Sequence, residues 1–135
     1  MTNHKYTVDA SIATTTGVDI GIGGTAVFVQ GESADLVFTV HETTDHSTAL
    51  DISGYSFKWV LYDTGSDSAL VTKDTSGDIS LSDAANGEVT VPLAPADTEN
   101  ESPATYTHEL RVTDDGSGAE SSVARGDFNI AEAYA

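Results

Sequence analysis

Hydrophobic positions along the chain recur with a period of two. Leu36, Phe38 and Val40 alternate with Val37, Thr39 and His41, and Tyr55, Phe57, Trp59 and Leu61 alternate with Ser56, Lys58, Val60 and Tyr62. Val89, Val91 and Leu93 form a third such run, and Tyr106, His108, Leu110 and Val112 a fourth, with Phe128 and Ile130 flanking Asn129 near the end. Alternation over four to eight residues is the mark of strands with one buried face. Turn chemistry separates the runs: Asp51-Ile52-Ser53-Gly54, Asp63-Thr64-Gly65-Ser66-Asp67, Ser76-Gly77-Asp78, Ala85-Asn86-Gly87 and Asp114-Asp115-Gly116-Ser117-Gly118. Glycine supplies positive φ in such turns, and Asn and Asp tolerate it.

The pattern predicts strands over 5–12, 18–22, 25–30, 34–42, 55–63, 69–73, 78–81, 88–93, 104–113 and 120–130. Short strands with turn signals every ten or so residues predict an all-β sandwich or barrel. No stretch holds apolar residues at helical spacing. Ala94–Glu101 comes nearest and is read as a turn, at most one turn of 3₁₀ helix. Trp59, in phase with Tyr55, Phe57 and Leu61, is expected to anchor the core. Neither an internal repeat nor a linker divides the chain. The first 30 residues are rich in Thr and Gly and carry only small alternating apolar side chains (Val8, Ala10, Ile12; Val18, Ile20, Ile22; Val27, Val29). They predict a strand-forming N-terminal arm, residues 1–30, ahead of a sandwich domain, residues 31–135. Ordering an arm costs about 1–2 kcal/mol per residue. A neighbouring molecule's sheet edge is the expected source of its missing hydrogen bonds.

Charge narrows the partners. With 22 Asp plus Glu against 5 Lys plus Arg, the formal charge of the 135 residues is −17. Nucleic acid and anionic membrane surfaces need cations to displace counterions. Lys5, Lys58, Lys73, Arg111 and Arg125 are few and scattered in sequence, so neither surface is an expected partner. The acids are spread through a patterned chain, as in a protein made for high salt, where screening removes self-repulsion. Folding is then expected to weaken in dilute buffer and to recover partly on mild acidification. There are no cysteines, which excludes disulfides and thiolate sites. No apolar run approaches the ~18 residues of a membrane span, and Met1–Tyr6 lacks the layout of a signal peptide.

From Gly31 onward the order of motifs is more specific. Leu50-Asp51-Ile52-Ser53-Gly54-Tyr55 leads into the strand Ser56–Leu61. The hairpin Asp83-Ala84-Ala85-Asn86-Gly87-Glu88-Val89-Thr90-Val91 follows, then Thr105-Tyr106-Thr107-His108-Glu109-Leu110-Arg111-Val112-Thr113-Asp114 and Gly126–Ile130. Together, over about 100 of the 135 residues, these resemble the Ig-like N-terminal domain of phage baseplate upper proteins. Similar β-sandwich proteins stand alone in tailed-virus particles. The resemblance implies an Ig-like antiparallel β-sandwich, a structural virion role and no catalysis. The chain departs from the baseplate pattern in its 30-residue extension and in ending without a fibre or coiled coil. With the acidity, the resemblance points to a tailed virus of a halophilic archaeon.

Most chemistry-bearing residues of the chain have a plainer structural role. Arg125-Gly126-Asp127 spells the integrin tripeptide, but Phe128 and Ile130 place it inside a strand. The Asp63–Asp67 and Asp114–Gly118 runs carry oxygens for a hard cation, yet neither matches the D-x-[DN]-x-[DN]-G loop, and a solvated hairpin turn is the expected reading. His4, His41, His46 and His108 lack H-x-x-x-H spacing; His108 is expected to be a hydrogen-bonded core residue, and His41 to lie on the face opposite Phe38. No nucleophile elbow or phosphate loop is present. No catalytic, cofactor or metal residue is therefore assigned, and no cofactor. The expected function is a non-enzymatic building block of the virion, in the tail or baseplate, binding other virion proteins and copies of itself. Capsid decoration in the same virus, or a cell-surface adhesion module of a halophile, is the alternative. A carbohydrate-binding module would need exposed aromatics, and Tyr55, Phe57 and Trp59 are expected inside.

Overall fold

In the computed structural model, which describes residues 3–22 and 26–133, the chain forms β1 (His4–Ser11), β2 (Thr16–Gly17), β3 (Phe28–Val29), β4 (Ala34–His41), β5 (Tyr55–Tyr62), β6 (Ala69–Asp74), β7 (Ser80–Asp83), β8 (Glu88–Leu93), β9 (Ala104–Asp114) and β10 (Glu120–Ala131). The expected all-β sandwich is present. One sheet has the order β1-β4-β8-β7 and the other β2-β10-β9-β5-β6, with β3 also on β10. Inward residues of both sheets make one hydrophobic cluster: Leu36, Phe38 and Val40 from β4, Phe57, Trp59 and Leu61 from β5, Val89 and Val91 from β8, Leu110 and Val112 from β9, Phe128 and Ile130 from β10. Trp59 is fully buried, as its phase predicted. β7 pairs with β8 only as far as Ser80↔Thr90, so it stops short of Pro92, which has no N–H for a ladder.

Two local differences from the sequence reading concern single turns. Pro95–Thr98 closes one α-helical turn, α1, with Pro at its start and the Asp97 carboxylate accepting the Ala94 N–H. Ala84–Asn86 makes a 3₁₀ turn that ends on Gly87 at φ 76°. Thr25, at the head of the expected 25–30 strand, lies with Gly23 and Gly24 outside the described residues.

The larger difference lies in the first 30 residues. β1 pairs along its full length with β4, in parallel, from His4↔Ala34 to Ser11↔His41. The chain then crosses to the other sheet and runs parallel to β10 through Thr16↔Ala124, Gly17↔Arg125, an isolated bridge Ile20↔Phe128, and Phe28↔Ile130. The sheets are thus mixed, where a wholly antiparallel sandwich was expected, and each parallel contact involves this segment. Tyr6, Ala10, Val18, Ile20 and Phe28 belong to the common core. The hydrogen bonds that the sequence reading sought from a neighbouring molecule come from the edges of the chain's own two sheets. Phe28 supplies the large side chain that the Val27/Val29 alternation hid: it is fully buried, while Val27 is 52% exposed.

Candidate assembly surface

Behind the surfaces lies a buried junction that fixes their geometry. Trp59 Nε1 donates to His108 Nδ1 at 3.1 Å, and His108 Nε2 donates to the Val18 carbonyl at 2.8 Å. With Nδ1 accepting and Nε2 donating, the imidazole is neutral, in the Nε2–H form. Burial pushes its pKa below the ordinary histidine value, against the weaker opposing pull of the Val18 carbonyl and of Asp19 and Asp127. Phe128 packs edge-on at 5.6 Å between ring centres, and the file of rings continues through Phe28 to Tyr6. His108 is thus the hydrogen-bonded core histidine its phase predicted.

The Arg-Gly-Asp tripeptide belongs to this junction. Gly126 is paired with His108 across β9 and β10, and a Cβ on Gly126 would stand 1.8 Å from the Val18 carbonyl oxygen. Absence of a side chain there lets that carbonyl reach the imidazole. Asp127 N–H donates to the Asp19 carboxylate at 2.9 Å, and the Arg125 guanidinium lies 5.5 Å above the Tyr62 ring. The tripeptide is mid-strand, not a loop tip. An inward-phase glycine in a strand marks close backbone approach, and the alternation Gly126, Phe128, Ile130 carries that signal in the sequence.

The other histidines serve the N-terminal segment. His41 is buried although out of phase with Phe38, because residues 42–49 fold back over it through the His41↔Ala49 bridge. Its Nε2 pairs with Asp9 at 3.0 Å, and His46 Nε2 meets Thr16 Oγ1 at 3.0 Å. His4 lies 3.5 Å from Glu32, whose carboxylate also accepts from the Tyr6 hydroxyl. Burial, then Glu32, push the Tyr6 pKa upward.

Several acids of the loops are turned into their own turns. Asp45, Asp51, Asp63, Asp74 and Asp114 each accept the backbone N–H two residues on, the Asx-turn geometry. Hydrogen bonds from Ser47, Ser53 and Ser76 hold Asp45, Asp51 and Asp74 below the ordinary carboxylate range. A carboxylate with depressed pKa stabilises the fold above its unfolded value and loses that effect as pH falls through the folded one. Acidification therefore costs these turns, which runs against the recovery expected from charge neutralisation alone. Among the described residues no group of three or more His, Asp or Glu is placed to hold a metal ion.

The cations scattered in sequence are partly gathered in space. Glu109 lies between Arg111 at 3.8 Å and Arg125 at 3.7 Å, and Lys73 bridges Asp97 at 2.9 Å and Asp78 at 3.4 Å. A depression of about 360 Å³ on the outer face of the β5–β9 sheet is lined by Lys58, Arg111, Asp74 and Glu120 with Ser and Thr hydroxyls. Its lining sets two cations against two carboxylates and holds no imidazole beside a hydroxyl. The large apolar side chains left exposed among the described residues are Ile22, Val27 and Leu70. Ile22 lines a depression between β1 and Asp19–Ile22 with Ala26, and Val27 an adjoining one beside His4, Lys5 and Tyr6; Leu70 lies on the outermost strand of the other sheet. No helix of the described residues is long and apolar enough to cross a membrane.

No family model matches the chain, and no curated protein matches it. Among solved structures, it shares its fold with the N-terminal domain of phage TP901-1 ORF48, at a TM-score of 0.56 and 9% identity, over 95% of this chain and 98% of that one. The match runs nearly end to end on both sides, so it takes in the N-terminal segment as well as residues 31–135.

Two substitutions test the junction. Gly126→Ala is expected to cost about 3 kcal/mol, the upper part of the overpacking range, while Gly54→Ala, where a Cβ meets open space, stays within about 0.5 kcal/mol; thermal melting reads both. His108 has a depressed folded pKa, so its contribution is complete above the unfolded value near 6.5 and declines as pH falls below it. The melting temperature of the wild type should drop between about pH 7 and about pH 5, and His108→Gln should flatten that slope. An unchanged slope in the variant would remove His108 as its source.

Proposed function

We propose that the protein is a non-enzymatic structural component of a tailed-virus particle, acting in the tail or baseplate region by binding other virion proteins. The observation that carries this reading is the full-length fold match to the N-terminal domain of a phage protein. It is supported by the sequence motifs resembling the N-terminal domain of baseplate upper proteins. The division of strands into β1-β4-β8-β7 and β2-β10-β9-β5-β6 supports an Ig-like description of the sandwich. The charge of −17 supports a host with a salt-rich interior, where the Debye length is a few Å.

Association is the mechanism that suits these surfaces. Sheet edges offer unpaired backbone groups, and a partner strand or loop can complete them. The two adjoining depressions along β1, one lined by Ile22 and the other by Val27, are the contact for a neighbouring virion protein. Residues 4–22 and 26–30 then work as a docked ledge with Tyr6, Ala10, Val18, Ile20 and Phe28 in the core. Mass spectrometry of purified particles tests the role: the chain is expected as a multi-copy component at a fixed ratio to the tail proteins. Its absence from particles, with the chain present in infected cells, would overturn the virion assignment.

A further inference from the structure

All four imidazoles of the chain fasten the N-terminal segment, and they divide by what would meet their charge. His4 lies beside Glu32, and His41 beside Asp9. His46 meets Thr16 in a depression it shares with Asp9 and Asp19. A proton on any of these three finds a carboxylate close by. His108 differs. It is fully buried, and both ring nitrogens are occupied, Nδ1 accepting from Trp59 and Nε2 donating to the Val18 carbonyl. The acids facing it are Asp19 of the N-terminal segment and Asp127 of β10, neither bonded to it, while Phe38 of β4 and Phe128 of β10 present their rings. A proton on Nδ1 would set N–H against the Trp59 N–H in an apolar site. Val18–Ile20 stands over this imidazole. Both apolar side chains are buried, and three backbone bonds hold the tripeptide to β10: Val18 N–H to the Arg125 carbonyl, Ile20 N–H to the Asp127 carbonyl and Asn129 N–H to the Ile20 carbonyl. Glycine flanks it at both ends, Gly17 with open space where a Cβ would stand and Gly21 at φ 75°. Such positions absorb the backbone rotation that a hinge needs.

We propose that Gly17–Gly21 is an acid-operated flap: a proton on His108 lifts it from β10 while β1 stays paired with β4. The closed flap excludes that proton and the lifted flap admits it. Lifting therefore gains as pH falls below the ordinary histidine value, and the closed form is fully favoured above it. Burial, which already holds the His108 pKa below that value, fixes the sign. Charge on His4 and His41 acts the other way, because Glu32 and Asp9 then face cations and β1 is not loosened. Lifting frees the Arg125 and Asp127 carbonyls and the Asn129 N–H, so mild acid opens this stretch of the β10 edge without unfolding the sandwich. The flap rests on the buried junction and not on the virion reading.

Native-state hydrogen exchange of the full chain at about pH 7 and about pH 5, corrected for the intrinsic pH dependence of exchange, tests it. At the higher pH the Val18, Ile20 and Asn129 amides should be as protected as those of β1. At the lower pH their protection should fall at least about tenfold relative to β1, with the far-UV circular dichroism unchanged. His108→Gln keeps an acceptor for Trp59 and a donor for Val18 without titrating. In that variant the three amides should keep one protection level relative to β1 at both pH values. Equal protection of the flap and β1 in the wild type at the lower pH overturns the proposal. A loss shared by β1 overturns it too, since the whole fold is then loosening. These wild-type outcomes stand without the variant. A selective loss that persists in folded His108→Gln removes the imidazole as the trigger and likewise overturns the proposal.

Discussion

The carbonyl of Val18 turned into the core is the contact on which the rest of the structure depends. It ends a relay in which the Trp59 indole donates to His108 and His108 donates to that carbonyl. Three chain segments are tied by it: β5, β9 and the N-terminal segment. Each polar atom in the relay is satisfied only while all three are in place. Removing one partner leaves a buried donor or acceptor unpaired, at about 1–3 kcal/mol each. Gly126 makes the geometry available by leaving its inward position empty. The aromatic file from Trp59 through Phe128 and Phe28 to Tyr6 then surrounds the relay with apolar contact and excludes water from it.

The acid load bears on this core from outside. Repulsion among −17 net charges disfavours compaction in dilute buffer, yet several loop acids are fixed parts of turns and cannot be neutralised without loss. Burial keeps His108 neutral, which sets a second limit on the acid side. At neutral pH with ample salt the repulsion is screened while the turns and the imidazole keep their charge states. The surface follows the same logic: cations are drawn into local pairs with Glu109, Asp78 and Asp97.

Much of the sandwich was legible in the sequence because period-two alternation reports burial directly. β5, β8, β9 and β10 stand within a residue of their expected bounds, and the phase of Trp59 and His108 placed both inside. The N-terminal segment was harder to read for a physical reason. Its pairing is parallel and long-range, split between two sheets, and such contacts leave no local mark beyond scattered small apolar residues. The same holds for Gly126, whose role depends on a carbonyl 108 positions earlier, and for His41, buried by a loop that returns over it.

Joining both sheets through residues 4–20 is the claim that most separates this account from a free-arm reading. Native-state hydrogen exchange in molar salt measures it directly. Amides of β1 and of Val18 and Ile20, which donate to β4 and to the Arg125 and Asp127 carbonyls, are expected to exchange as slowly as those of β9, through global unfolding. Rapid exchange across residues 4–20, with β9 still protected, would show the segment opening independently and would contradict the account.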